Sequence, residues 1–386
     1  MTTQDPAAHP DPRAEALLRQ AQDFADRVVA PRAIDWDRAD QFDIATLREA
    51  AVLGWFGLQL PEERGGLGLP FSVKSRLTEI LAGADFGFAL SLVNTMNIGH
   101  KLVRDAPHLA DRYLPDLLTG ARLASTALTE PGAGTDFGAI TTTARRDGDG
   151  WVLNGGKAWI INAAASDVIL AYAQTDPGSR GAGIAAFLVD GQREGFDRRE
   201  AFALTGQHSI GVGGFELHGY RAAADEMVQP PGQAFKYALN DINGARTYVA
   251  AMCCGMVDAA LKIAGAYGRR RETFGRKLVD HQGWRWSLAD ADIDLAAARA
   301  LVRHAEARID AGQEARHEAA RAKVFATRMA ERHIPVLGQL MGAEGLSASY
   351  PFGRHTMGAK ISGLVDGSSE ILRDGLALRH AREPDA

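Results

Sequence analysis

The 386-residue chain has few cysteines, no long apolar run and no marked excess of either charge. Its two cysteines, Cys253 and Cys254, are adjacent in an apolar stretch, which argues against a disulfide framework and favours two small side chains packed in a helix. The 11 histidines show no metal-ligand spacing, so no metal site is expected. The net charge is only −5 with both signs interspersed, which provides no basic surface for nucleic acid.

Membrane and export signals are also missing. No segment approaches the ~18 consecutive apolar residues of a membrane span, and the polar, proline-rich start lacks the apolar region of a signal peptide. We therefore expect a cytoplasmic protein with a frayed N-terminus. With 46% hydrophobic and 24% charged residues, the chain has the composition of a globular protein with two or three packed units.

Hydrophobic periodicity divides the chain into three parts. Apolar residues at three- and four-residue steps predict an N-terminal helical domain over residues 1–122. Short alternating runs separated by turn residues predict a middle β-strand domain over 123–232, with a hairpin at Asp147–Gly150. Helical patterns return over 233–386 and are long enough for a domain resembling a four-helix bundle. The predicted fold class is α+β.

Five motifs could carry chemistry. The glycine-rich loop TEPGAGTD exposes backbone N–H groups that can approach a flat ring or a phosphate, although it could also be a plain turn joining a helix to a strand. The five motifs are TEPGAGTD (129–136), KAWIIN (157–162), RETFG (271–275), QLMGAEG (339–345) and DGSSE (366–370). In this order and spacing, the chain resembles the acyl-CoA dehydrogenases over nearly its whole length.

The resemblance implies an FAD cofactor. In that family the glycine-rich loop lines the flavin ring and the tryptophan of the second motif packs against it; these residues correspond to Thr129, Thr135 and Trp159 here. The family's serine or threonine two residues after that tryptophan, near flavin N5, is Ile161 in this chain. A backbone N–H can still serve, but losing one hydrogen bond at the atom that accepts hydride could cost ~1–3 kcal/mol.

The resemblance also implies contacts between subunits. Arg271, Thr273 and Phe274 match the family segment that reaches the FAD pyrophosphate of a neighbouring protomer, and a guanidinium suits phosphate oxygens. Gln339 and Gly342 match the loop at the adenosine end. We therefore expect a homotetramer, with a dimer as the minimum unit. Further contacts are assigned by resemblance: Ser368 and Glu370 to the cofactor, and Arg246, Thr135 and Gly367 to the substrate.

Asp366 occupies the position of the family's catalytic base. That base is normally a glutamate followed by Gly-Thr or Gly-Ser, whereas the triplet here begins with an aspartate, which is shorter by one CH2. Small misplacements of a reacting group can slow a reaction about a hundredfold. The alternative base of some family members is absent, because Ala245 precedes Arg246. Asp366 has two other possible roles, as a polar residue without a catalytic function or as an acid that orients the substrate.

The leading hypothesis is FAD-dependent α,β-dehydrogenation of a small or unusual acyl-CoA thioester, with electrons passed to an electron-transfer flavoprotein. One alternative keeps the flavin fold but uses an acyl-carrier-protein substrate, or catalyses an oxidase, monooxygenase or redox-neutral reaction. Another is a non-catalytic protein that binds acyl-CoA or flavin. Met357 and Gly358 replace a common Arg-Asp pair of the family, which indicates either a packing change or a reshaped pocket.

Overall fold

The computed structural model describes residues 11–40 and 42–382, and the start expected to be frayed lies outside these residues. Helices come first, then strands, then helices, so the predicted α+β class and the order of its parts are confirmed. The exact domain boundaries after residues 122 and 232 stay a prediction.

The first part contains six helices in the described chain, and aspartates cap several of them. Asp11, Asp43 and Asp85 each accept a hydrogen bond from a backbone N–H in the first turn that follows. Apolar residues surround α5, which is buried along most of its length. The helices are α1 (Pro12–Phe24), α2 (Ala30–Arg38), α3 (Ile44–Val52), α4 (Phe71–Ala84), α5 (Phe86–Asp105) and α6 (Pro107–Leu118).

The middle part forms an eight-stranded sheet that is mostly antiparallel. Its strands are β1 (Leu123–Ala127), β2 (Thr143–Asp147), β3 (Gly150–Ile160), β4 (Ser166–Gln174), β5 (Ile184–Asp190), β6 (Phe196–Arg198), β7 (Gly213–Ala222) and β8 (Met227–Gln229). The strand order is β6-β7-β3-β2-β4-β5-β8, and β1 pairs with β4 in parallel. The predicted hairpin is present between β2 and β3, where Gly148 adopts a φ of 62°.

The last part is a helical bundle with a small hairpin. It contains α7 (Ala234–Arg270), the two-residue strands β9 (Glu272–Thr273) and β10 (Arg276–Lys277), α8 (Gln282–Asp310), α9 (Arg316–Gln339), α10 (Phe352–Ser362) and α11 (Ser369–Arg382). Both cysteines are buried in α7, and buried residues of α4, α5, α7, α8 and α9 share one hydrophobic core. The first and last parts are therefore packed together rather than tethered.

Helix α7 is the longest element and the axis of this core. It is long and apolar enough to cross a membrane by length and composition alone, yet 67% of its most apolar window is buried inside the protein. At Gly255 it crosses α4 so closely that a Cβ would lie 1.8 Å from the carbonyl oxygen of Glu79. Only glycine fits there, because even one added methyl group would push the two helices apart.

Candidate active site

A buried ion pair shapes the glycine-rich loop after β1. The Lys157 ammonium, on β3, lies 2.9 Å from the Glu130 carboxylate and also donates to the carbonyl of Leu128 at 3.1 Å. Both charged side chains are almost completely buried. Glu130 further accepts hydrogen bonds from the backbone N–H groups of Thr141 and Thr142. The loop is thus fixed at both ends by one carboxylate.

The protonation states follow from these contacts. Burial raises the pKa of Glu130, but the Lys157 charge and the hydrogen bonds outweigh it and lower that pKa to about 2. Burial lowers the pKa of Lys157 to about 8, against the opposing pull of Glu130. The pair is therefore ionised at neutral pH, and removing one partner would leave a buried, uncompensated charge.

The loop and the end of β3 lie side by side. The backbone N–H of Ala158 donates to the carbonyl of Thr129 at 3.1 Å, which brings the next residue, Trp159, beside the loop. Trp159 has a φ of 60° and is 59% exposed, with its ring 4.6 Å from that of Phe202. Thr135, at the far end of the loop, is exposed. The structure therefore brings Thr129 and Trp159 together, and Thr135 is exposed on the same loop.

This surface fits a flat ring. No atom of the described chain lies within 4 Å of the position that a Cβ would occupy on Gly132, and on Gly134 only a Thr129 methyl group reaches that distance. Backbone can therefore approach a ligand closely here. An exposed tryptophan next to such a loop provides an apolar face for stacking. The residues present suit the isoalloxazine ring of FAD.

Ile161 and Asn162 complete the end of β3. Ile161 is half-buried against the helical core and has no hydroxyl to offer. Asn162, with a φ of 64°, donates to the carbonyl of Ser91 on α5 at 2.8 Å and accepts from the hydroxyl of the same residue. This fully buried amide, which sequence reasoning overlooked, fastens the end of β3 to α5.

Asp366 lies in a left-handed turn between α10 and α11. It has a φ of 54°, and Gly367 follows with a φ of 92°. Aspartate is one of the few residue types besides glycine that tolerate this conformation. Two cations hold the turn: the Arg246 guanidinium donates to the carbonyl of Asp366 at 2.9 Å, and the Lys323 ammonium donates to the carbonyl of Gly367 at 2.6 Å. Both donors bind main-chain oxygens, so neither hydrogen bond occupies the carboxylate.

Burial and two nearby cations have opposite effects on the pKa of Asp366. Burial raises its pKa above the usual range, while the charges of Lys323 and Arg246 oppose that rise. Lys323 on α9 is itself 0% exposed, and burial lowers its pKa to about 8. A carboxylate with a raised pKa and fixed cations nearby is suited to taking a proton. Lys323 was absent from the residues predicted by sequence.

The residues after the turn belong to the start of α11. The hydroxyl of Ser368 accepts a hydrogen bond from the N–H of Ile371 at 3.4 Å, as a helix cap does. Glu370 is exposed in the first turn of this helix, and its pKa is lowered by a main-chain hydrogen bond and by Ser368. Both positions are explained by helix capping, and their predicted contacts with FAD stay predictions.

The hairpin of β9 and β10 projects away from its own chain. Phe274 at its tip is 98% exposed with a φ of 51°, and Arg271 is exposed at its base. Thr273 is held by a 3.3 Å contact with His281. Arg246 and Arg271 are separated by 25 positions of α7, or about 37 Å at the rise of an α-helix. Arg271 therefore lies far from the Asp366 turn of its own chain.

The loop after α9 lies near this hairpin. The Trp284 indole, at the start of α8, donates to the carbonyl of Leu340 at 3.1 Å and so ties the two regions together. Gln339 and Gly342 are exposed there, and Gly342 has a φ of 64°. One chain thus presents two separate groups of predicted FAD residues, one at each end of α7.

The missing Arg-Asp pair has a packing explanation at its second position. On Gly358 a Cβ would lie 2.8 Å from the sulfur of Met256 and 3.0 Å from the Cβ of Phe86. Helix α10 is therefore pressed against α7 and α5, and an aspartate would not fit without moving them. Nothing in the structure explains Met357.

Three family models match the chain. They describe the N-terminal domain of acyl-CoA dehydrogenase (residues 11–121), its middle domain (125–219) and its C-terminal domain (232–380). The mitochondrial short-chain specific acyl-CoA dehydrogenase of Bos taurus is 32% identical over 94% of this chain and 89% of its own length. A 3-(aryl)acrylate reductase of Clostridium sporogenes is 30% identical over 92% and 95%. The butyryl-CoA dehydrogenase structure from Megasphaera elsdenii superposes with a TM-score of 0.93 at 29% identity, covering 99% and 100%.

The buried ion pair under the glycine-rich loop yields a stability prediction. Lys157→Met leaves the Glu130 carboxylate buried without its partner, so we expect the free energy of unfolding to fall by about 3–5 kcal/mol. Urea denaturation followed by circular dichroism measures this. Adding Glu130→Gln to Lys157→Met should recover part of the loss. A single variant as stable as the wild type would contradict the role given to this pair.

Proposed function

Because the chain belongs to the acyl-CoA dehydrogenase family, and is thus an FAD-dependent oxidoreductase acting on CH–CH bonds, we propose that it dehydrogenates the α,β bond of a small acyl-CoA thioester. The observation that carries this proposal is the placement of Asp366. Its carboxylate stands on a turn held by the half-buried Arg246 and the buried Lys323, at the position of the family base.

The chemistry divides between the base and the cofactor. FAD, when bound, supplies the acceptor for the β-hydrogen and its electron pair. The Asp366 carboxylate removes the α-hydrogen as a proton, so two C–H bonds break, one C=C bond forms and the substrate loses two electrons. Thr129, Thr135 and Trp159 would hold the flavin ring, and the exposed Arg271 would serve the pyrophosphate of a partner's FAD. The charges of Lys323 and Arg246 oppose the rise in the pKa of Asp366 that burial causes.

Exposed apolar side chains support an assembly of several copies. Trp286 and Ile293 are seven residues apart on α8 and more than 60% exposed. Ile371 and Leu378 are also seven apart and exposed on α11, and Leu364 is exposed before the left-handed turn that precedes this helix. Residues seven apart lie on one face of a helix, two turns apart, and such exposed apolar faces mark interaction surfaces. We propose a homotetramer in which the hairpin of one protomer completes the FAD site of another.

The proposal extends to the electron acceptor and the compartment. An electron-transfer flavoprotein would reoxidise the flavin, as the resemblance implies. A cytoplasmic location agrees with two buried thiols that form no disulfide in the described chain.

The role of Asp366 is testable by anaerobic rapid mixing, in which a short acyl-CoA bleaches the visible band of the bound flavin. Asp366→Asn removes the proton acceptor, so we expect bleaching to slow by about a hundredfold to ten-thousandfold. Asp366→Glu should preserve or raise the rate, at a cost of about 1 kcal/mol in stability from the left-handed turn. An Asn variant that bleaches at the wild-type rate would remove Asp366 from the mechanism.

The two cations that hold the Asp366 turn predict a shift in pH dependence. The base works only when ionised, so activity is present above the pKa of Asp366 and is lost as the pH falls through it. Lys323→Met removes a charge that holds this pKa down, and the acidic limb of the kcat profile should therefore move to higher pH. Lys323→Arg should restore the limb, and Lys360→Met, at an exposed lysine of α10, should leave it in place. An unmoved limb in Lys323→Met would show that Lys323 has only a structural role.

The shared cofactor site predicts a link between assembly and FAD retention. Arg271→Ala should weaken FAD binding about tenfold or more, because one charge-assisted contact is lost. Arg270→Ala, at the neighbouring exposed arginine, serves as the control. Light scattering gives the mass of each species and fluorescence gives its FAD content. A monomer that retains FAD as tightly as the oligomer would refute the cross-subunit site.

A further inference from the structure

A second buried lysine lies among neutral partners in the helical core. Lys74, on α4, is only 3% exposed. Its ammonium donates to the side-chain oxygen of Gln59 at 3.0 Å and to that of Asn97 on α5, and it lies 5.5 Å from the centre of the Tyr248 ring on α7. Asn97 in turn donates to the Tyr248 hydroxyl at 3.1 Å. These contacts orient the ammonium but carry no negative charge.

The nearby acids are already matched to other bases. Asp241 lies 2.6 Å from Lys101 and 3.1 Å from Arg104, and Asp105 pairs with the same two cations. In the described part of the chain, no carboxylate lies within 4 Å of the Lys74 ammonium. Burial accordingly lowers the pKa of Lys74 to about 7, and the Asp241 charge only partly opposes this. A buried cation without a counter-ion is costly and is stabilised by any anion that reaches it.

The helices around Lys74 also form the two sides of the reacting centre. On α5, Ser91 binds Asn162 beside the flavin-facing Ile161, and Asn97 follows six residues later, about 9 Å along the helix. On α7, Arg246 holds the Asp366 turn and Tyr248 follows two residues later. Burial raises the pKa of Tyr248, and the charge of Asp366 adds to that rise. Lys74 therefore contacts both helices that flank the proposed reacting centre, α5 through Asn97 and α7 through Tyr248.

We propose that Lys74 binds a carboxylate at the far end of the acyl group, so that the substrate is the CoA monothioester of a short dicarboxylic acid. This inference rests on the proposed dehydrogenation and names its substrate class. The carboxylate supplies the missing counter-ion. Asn97 and the Tyr248 hydroxyl lie beside Lys74 at the same polar end of the proposed acyl site. A purely hydrocarbon acyl group would leave Lys74 without a counter-ion, with its pKa still lowered by burial to about 7.

The test compares two thioesters of equal chain length, glutaryl-CoA and pentanoyl-CoA, on the FAD-loaded oligomer. The ratio of their kcat/KM values for flavin bleaching is measured in the wild type, in Lys74→Met and in the control Lys262→Met, an exposed lysine of α7. We expect the wild type and the control to prefer glutaryl-CoA by about 30-fold or more, and Lys74→Met to lose that preference. Succinyl-CoA and butyryl-CoA repeat the comparison one carbon shorter.

The outcomes separate this inference from the proposed function. If pentanoyl-CoA bleaches the wild-type flavin as well as or better than glutaryl-CoA, and butyryl-CoA does so relative to succinyl-CoA, the carboxylate site is wrong while the dehydrogenase stands. If no thioester bleaches the flavin, the proposed reaction is wrong. The affinities of the same thioester pairs, measured by calorimetry, then show whether the protein prefers the one with a carboxylate. Since the wild-type ratio alone can overturn the inference, poor folding of Lys74→Met does not protect it.

Discussion

The structure depends on two cations, one half-buried and one fully buried, that hold two consecutive main-chain carbonyls. Arg246 comes from α7 and Lys323 from α9, and both converge on the left-handed turn at Asp366 and Gly367. Because the hydrogen bonds go to the backbone, the turn is held in place while the carboxylate stays available. The same charges oppose the rise in the pKa of Asp366 that its burial causes. The position of the proposed base and part of the control of its pKa thus depend on the same two cations.

Buried polar contacts also hold the glycine-rich loop and the end of β3, where the flavin is proposed to bind. The Glu130–Lys157 pair fixes the glycine-rich loop, and Asn162 fastens the end of β3 to α5. Helices α5 and α7, packed in one core, then set the separation between the surface proposed for the flavin and the Asp366 turn. The close crossing at Gly255 fixes α7 against α4 in the same core. A reaction that removes hydrogens from two neighbouring carbons requires such a fixed spacing.

Periodicity and motif order were enough to predict the fold, its three parts and the β2–β3 hairpin, since these depend on local patterns. Asp366 was also picked out from its motif, whereas the left-handed turn that carries it was not. Lys323 was not predicted, because its partner is the main-chain carbonyl of a residue 44 positions away. Every residue has such a carbonyl, so the sequence does not indicate which one a lysine will bind. Lys74 looks like an ordinary helical lysine until its burial is seen. The closeness of Gly358 to Met256 likewise depends on helix packing that residue types do not encode.

The central claim is that Asp366 removes the α-proton, and it can be tested apart from flavin reduction. An acyl-CoA analogue in which an oxygen atom replaces the β-carbon has no β-hydrogen to lose. If its α-carbon is labelled with deuterium, loss of that deuterium to water reports the action of the base alone. Nuclear magnetic resonance follows that loss with the FAD-loaded enzyme. We predict steady exchange with the wild type and none above background with Asp366→Asn, although both bind the analogue. Equal exchange by the two proteins would contradict the account.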